Sequence, residues 1–163
     1  MVMQTHYLFV DYENTQLGNL GLIGESSCLT KIKIFLGRHQ NMIPIALARA
    51  LHAFGDDAEY IQVDSARHNA IEFNIAFQLG ELATQHPDAQ FSILSNDSAF
   101  NAIVEGLKSK GIACARYADI ESLLAHPARP ASVVSDASQG DKVVAITESL
   151  NKSKGMPPQR SAK

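Results

Sequence analysis

The 163-residue sequence has no apolar run approaching the roughly 20 residues that a membrane-spanning helix requires. No signal-peptide pattern precedes the first apolar segment, so no membrane association is expected and a cytoplasmic protein is. Cysteine is scarce: Cys28 and Cys114 lack metal-ligand spacing, and Cys114 sits in an apolar run. Both are therefore expected as reduced thiols. An excess of positive charge is also missing. The net charge is −3, and four of the fourteen basic residues (Lys152, Lys154, Arg160, Lys163) lie after Leu150 with no acid among them. The preceding body then carries ten basic against seventeen acidic residues, a net of −7. This balance argues against a general polyanion-binding groove and is compatible with an acidic, metal-dependent site. No internal repeat or low-complexity tract is present.

What is present is a series of short apolar runs alternating with helical patterns. Strands are expected at Thr5–Val10, Leu29–Leu36, Ala58–Val63, Phe91–Leu94 and Ile112–Ala115. Residues 14–28, rich in glycine, read as a loop containing a short helix. Pro44 suits a helix start, and Ile45–Phe54 supplies the helix, ending at Gly55. The strongest helix begins near Ile71. Ile71, Ile75, Leu79 and Leu82 recur at helical spacing, with Phe73 and Phe77 expected to widen the buried stripe. A helix over residues 98–110 is closed by Gly111, and Asp119 is placed to cap a last short helix through Leu124.

Strands alternating with helices define an α/β class, a three-layer α/β/α sandwich with a mainly parallel five-stranded sheet. This domain is expected over residues 1–126, followed by a linker at 127–140. In the C-terminal segment, 141–163, Val143, Val144, Ile146 and Leu150 give residues 141–150 a helical pattern. That helix either packs on the domain or contacts a protein partner, and the basic tail after it is expected to be mobile. A homo-oligomer stays open.

The chemistry is expected where strands end in acids. The run Tyr7-Leu8-Phe9-Val10 stops at Asp11, and Phe91-Ser92-Ile93-Leu94 is followed by Ser95-Asn96-Asp97. In open α/β sheets, ligands bind beyond the carboxyl ends of the strands. Glu72 falls in the first turn of the long helix, near its buried face. Three carboxylates sharing one edge require protonation or a cation. Hard oxygen donors suit Mg²⁺ or Mn²⁺, which can support phosphodiester hydrolysis. Arg38, His39, Arg67 and His68, from the loops after strands two and three, are either phosphate-binding groups or solvated loop residues. Asn14 is expected to fix the Asp11 loop or to bind substrate. Tyr12 and Tyr117 either stack on bases or pack.

Three segments carry a family resemblance: Phe9-Val10-Asp11-Tyr12-Glu13-Asn14, Asn69–Phe77, and Ser95-Asn96-Asp97-Ser98-Ala99-Phe100. Together they resemble the PIN-like/NYN group of nuclease domains over residues 5–118. The resemblance implies strand order 3-2-1-4-5, an acidic metal-binding pocket, and RNA as substrate. It also implies that Asp11 and Asp97 match metal ligands, with Glu72 where an acid, commonly Asp, is expected. The sequence departs from the pattern after Asp97. Ala99 and Asn101 stand where the family usually adds a further acid, leaving Asn101 as a neutral oxygen donor and Asp119 as a second-choice replacement acid. The leading expectation is a Mg²⁺- or Mn²⁺-dependent endoribonuclease. The alternative is a catalytically weakened domain that binds RNA or protein. A haloacid-dehalogenase-like phosphatase ranks low, because Glu13 replaces the aspartate needed two residues after the nucleophile.

Overall fold

The structure, a computed structural model, describes residues 4–15, 17–25, 29 and 31–125. The expected linker, the 141–150 helix, the basic tail and Cys28 lie outside the described residues. The elements run β1 (His6–Asp11), a 3₁₀ segment (Leu17–Glu25), β2 (Lys31–Gly37), α1 (Ile45–His52), a 3₁₀ turn (Gly55–Asp57) and β3 (Ala58–Val63). They continue with α2 (Ala70–Gln85), β4 (Gln90–Leu94), α3 (Phe100–Lys108), β5 (Ala113–Tyr117) and α4 (Ile120–Ala125). All five strands pair in parallel in the order β3-β2-β1-β4-β5. Among the described residues no helix is long and apolar enough to cross a membrane.

Strand β1 is buried along its whole length because it is central and covered on both faces. Alternation divides its side chains. Tyr7 and Phe9 join Phe35, Phe91 and Ile93 beneath α2 and α3, whereas Leu8 and Val10 join Ile32, Ile34 and Leu36 beneath α1 and α4. The first face contains an aromatic row. Phe91 stacks on Tyr7 at 5.4 Å and tilts against Phe9 at 6.5 Å, and Phe9 stacks on Phe35 at 6.0 Å. Cys114 belongs to this core, and burial pushes its thiol up to about 12, which leaves it protonated and unreactive. Gly111 ends α3 at φ +77, a conformation that costs glycine no Cβ clash.

The helices follow the sequence with one correction. Ile71, Ile75, Leu79 and Ala83 form the buried stripe of α2. Phe73 and Phe77 do not widen it: they are 71% and 72% exposed. At 3.6 residues per turn they project away from the sheet, which a single helix face covers.

The Asp119 carboxylate accepts the Ser122 N–H at 2.7 Å at the start of α4. The Ser122 hydroxyl, and then its N–H, hold this carboxyl below its ordinary value of 3.8. Because the folded form holds its proton less tightly than the unfolded form, the contribution to stability is complete above 3.8. It is lost as pH falls through the lower folded value. Asp119→Ala is therefore expected to lower the urea midpoint at neutral pH, with wild type and variant converging in acid below that range. A difference unchanged by acid would show that the carboxylate charge is not what caps α4.

Candidate functional site: an acidic cleft at the sheet switch point

In the order 3-2-1-4-5 the chain leaves β1 toward β2 and β3, then returns to β4 on its other side. The direction of winding reverses between β1 and β4, and a crevice forms beyond their carboxyl ends. Asp11 ends β1, and Asp97 lies three residues past β4.

Asp11 is entirely buried. Its Oδ1 accepts the Asn14 N–H at 3.3 Å, and its Oδ2 accepts the Asn14 side-chain amide at 3.1 Å and the Ser95 hydroxyl at 2.7 Å. A charge with no solvent must be compensated by donors, and three are supplied here. Ser95 also accepts the Asp97 N–H at 3.0 Å, and the Asn96 N–H donates to the Asn14 carbonyl at 2.7 Å. Thr15 Oγ1 lies 2.5 Å from the Asp11 carbonyl and 3.0 Å from the Leu94 carbonyl, spanning the two strand ends. The loops after β1 and β4 are thereby fastened to each other through Asp11.

The crevice is a cleft of about 670 Å³. Glu72, from the first turn of α2, lines it with Asp97; both are half-buried. Asp97 Oδ1 accepts the Ala99 N–H at 2.9 Å. Asn14, Arg38, His39, Arg67 and His68 line the same cleft. Arg38 also pairs with Asp64 at 3.2 Å, both side chains being exposed, so this pair holds little free energy against the surrounding water. One cleft therefore gathers carboxylates, guanidinium groups and imidazoles.

Two expected residues, Asp11 and Asn101, are placed differently, and Asp119 takes the capping role expected for it. Asp11 does not line the cleft; it lies one hydrogen bond behind Asn14, which does. Asn101 and Asp119 do not line it either. The Asn101 oxygen accepts Arg116 Nε at 2.8 Å, and Arg116 Nη1 donates to the Ser95 carbonyl at 2.8 Å. Asp119 is occupied as the α4 cap. Tyr12 is 3% exposed and packs in the core, leaving no ring face for a base.

Two residues were not anticipated for the site. Glu13 lines the cleft, and its carboxylate lies against Gly37, where an added Cβ would fall 1.7 Å from Oε1. No local pattern signalled it, since β1 ends at Asp11 and strand alternation does not reach the turn that holds Glu13. Arg116 had no signal of its own. It reaches the Ser95 loop because β5 pairs with β4, with Arg116 opposite Ile93.

The donor set of the cleft is hard oxygen: Glu13, Glu72 and Asp97, with the Asn14 amide. Among the described residues no three of His, Cys, Asp and Glu converge closely enough to enclose a metal ion. Hard oxygen donors of this kind are what a Mg²⁺-type cation takes, one or two at a time with several waters kept. They do not fit a fully protein-ligated one.

A parallel 3-2-1-4-5 sheet with carboxylates collected at its switch point defines a PIN-like α/β domain. A family model described as PIN domain matches residues 5–117, and the chain belongs to that family. No curated protein and no solved structure gives a significant match. Membership associates the chain with nuclease-type, RNA-related function and with divalent-metal dependence as the general property of such domains.

Proposed function

We propose that the chain is an endoribonuclease that depends on Mg²⁺ or Mn²⁺ and hydrolyses RNA phosphodiester bonds in the acidic cleft. The observation that carries this reading is the gathering of Glu13, Glu72 and Asp97 with Arg38 and Arg67 in one cleft at the switch point. Carboxylates alone would repel a polyanion, and guanidinium groups alone would bind it without supporting hydrolysis. Together they hold a phosphate beside a site of hard oxygen donors.

In this proposal one or two carboxylates, from Asp97 and Glu72, hold the cation, water completes its shell, and Glu13 adds negative charge at the cleft wall. Bound there, the cation would supply a water of lowered pKa and charge compensation at the leaving oxygen. Arg38 and Arg67 orient the phosphodiester through its non-bridging oxygens. His39 and His68 are available to move protons at the cleft wall. Asp11 adds negative charge behind Asn14 and keeps the two strand-end loops in register, so its role is positioning.

One observation favours a second reading, a catalytically weakened domain that binds RNA. Asn101 stands where the resemblance leads one to expect an acid, and its oxygen is taken by Arg116. End-labelled single-stranded and hairpin RNAs incubated in Mn²⁺, with and without EDTA, separate the two. Cleavage that requires Mn²⁺ and is lost in Asp97→Asn supports the nuclease. RNA retention without cleavage by either folded protein transfers the assignment to the binding module.

A further inference from the structure

We propose that Tyr60, on the β3 edge of the sheet, is a base-stacking platform for RNA where the strand leaves the acidic cleft. The inference rests on the proposed RNA-cleaving function and adds a second subsite to it. An endonuclease cuts inside a polymer, so its substrate must continue past the cleft wall. The turn after β2 is that wall on one side. Gly37, Arg38 and His39 line the cleft, whereas Gln40 and Asn41 line the next hollow, of about 280 Å³, together with Gln62 and Tyr60. Tyr60 and Ile43 also line a further hollow of about 520 Å³. The two hollows form one groove, and it begins where the cleft ends.

The strand places the ring at a useful distance. Strand β3 is at the edge of the sheet, and alternation sends Tyr60 and Gln62 to one face and Glu59 to the other. Tyr60 is 43% exposed, which leaves its ring room for a partner. Val63, later in the same strand, lines the cleft. The separation from Tyr60 to Val63 is about 10 Å at 3.3 Å per residue, the length of about three stacked nucleotides. Stacking accepts any base, because every base has a π-face. The amides of Gln40, Asn41 and Gln62 offer both donors and acceptors to base edges or sugar hydroxyls beside it. Gln62 Nε2 also donates to the Arg38 carbonyl at 3.3 Å, tying the groove to the turn that carries the cleft guanidinium.

Charge favours this path for a polyanion. From residue 26 to residue 55 the sequence contains Lys31, Lys33, Arg38 and Arg49 and no acid, within an otherwise acidic body. Lys31 and Lys33 pair with Asp57 and Glu59. Arg38 stands at the cleft end, and Arg49 is exposed on α1 beside the groove residue Ala48. Helix α2, on another side of the cleft, contains Glu72 and Glu81 and no basic residue, so it would repel a phosphate backbone. The favourable path ends at Asp56, in the further hollow. A peptide adding to β3 as a sixth strand would use the backbone edge and leave the Tyr60 ring unused, which separates that occupant from RNA.

Fluorescence titration with an oligoadenylate of about ten nucleotides tests the proposal, using the full chain with Asp97→Asn as parent so that the probe survives. Tyr60→Leu keeps an apolar side chain without a ring. It should weaken binding at least about fivefold, the lower end of what stacking of one base supplies, with the thermal midpoint close to that of the parent. Tyr60→Phe should keep the affinity. The chain has no tryptophan, so tyrosine emission is readable: RNA should quench it in the parent and not in Tyr60→Phe. A packing role for Tyr60 would not produce that difference. Phe77→Ala, which removes an exposed aromatic ring outside the groove, should bind as the parent does. Four results overturn the inference and leave the cleft assignment standing: Tyr60→Leu binding as tightly as the parent, Tyr60→Phe losing as much as Tyr60→Leu, a quench that persists in Tyr60→Phe, or an equal loss in Phe77→Ala. A parent that retains no RNA at any concentration overturns the cleft assignment and this inference together.

Discussion

Asp97→Asn is expected to lower Mn²⁺-stimulated RNA cleavage at least about 100-fold while leaving the fold intact. The two parts have separate physical grounds. Asp97 is half-buried at the cleft wall, and on the proposed reading its carboxylate contacts the cation directly. Removing a group that only supports a metal ligand commonly costs 10–100-fold in affinity or activity, so losing a ligand costs at least the upper end. The fold survives because the oxygen that accepts the Ala99 N–H at 2.9 Å is retained in asparagine. Asp11→Asn is the contrasting variant. Its Oδ2 accepts from both Ser95 Oγ and the Asn14 amide. A donor in that position leaves partners unmatched in a fully buried site, at about 1–3 kcal/mol. Urea midpoints and single-turnover rates on both variants distinguish the roles. An Asp97→Asn protein that cleaves at the wild-type rate would remove Asp97 from the chemistry.

Phe91→Ala is expected to destabilise the protein by about 3–5 kcal/mol, and to lower the midpoint of thermal unfolding by roughly 10–15 °C. Phe91 has no exposed surface, contacts Tyr7 and Phe9 in the aromatic row, and sits in the strand next to the central one. Truncation leaves a cavity between a sheet and two helices that cannot collapse independently. The loss is a large share of the total stability of a domain, about 5–15 kcal/mol. Phe73→Ala should change stability by no more than about 0.5 kcal/mol. Equal losses from the two phenylalanines would contradict the division of α2 into a buried and an outward face.

Much of the fold was legible because its signals are local. Val10-Asp11 and Leu94-Ser95-Asn96-Asp97 mark strand ends by an abrupt change from apolar to acidic. The Ile71-Ile75-Leu79 spacing marks the buried face of α2. Order 3-2-1-4-5 entered through resemblance rather than periodicity, since no local pattern says which strands become neighbours. Phe73 and Phe77 misled for a related reason. Hydropathy predicts that phenylalanine is buried somewhere, and does not specify whether within the chain or against another.

The sequence by itself determined the alternating elements, the central buried strand, and the acids that would stand at strand ends. These depend on side-chain type and on periods of two and 3.6, which are properties of neighbouring residues. Only the tertiary structure decided which acids face solvent. It buried Asp11 behind Asn14, brought Glu13 over Gly37 into the cleft, and gave the Asn101 oxygen to Arg116 from β5. Each of these outcomes rests on contacts between segments distant in the chain. Exposure and hydrogen-bond partners at a sheet switch point are therefore settled by packing, after the local pattern has fixed the strands.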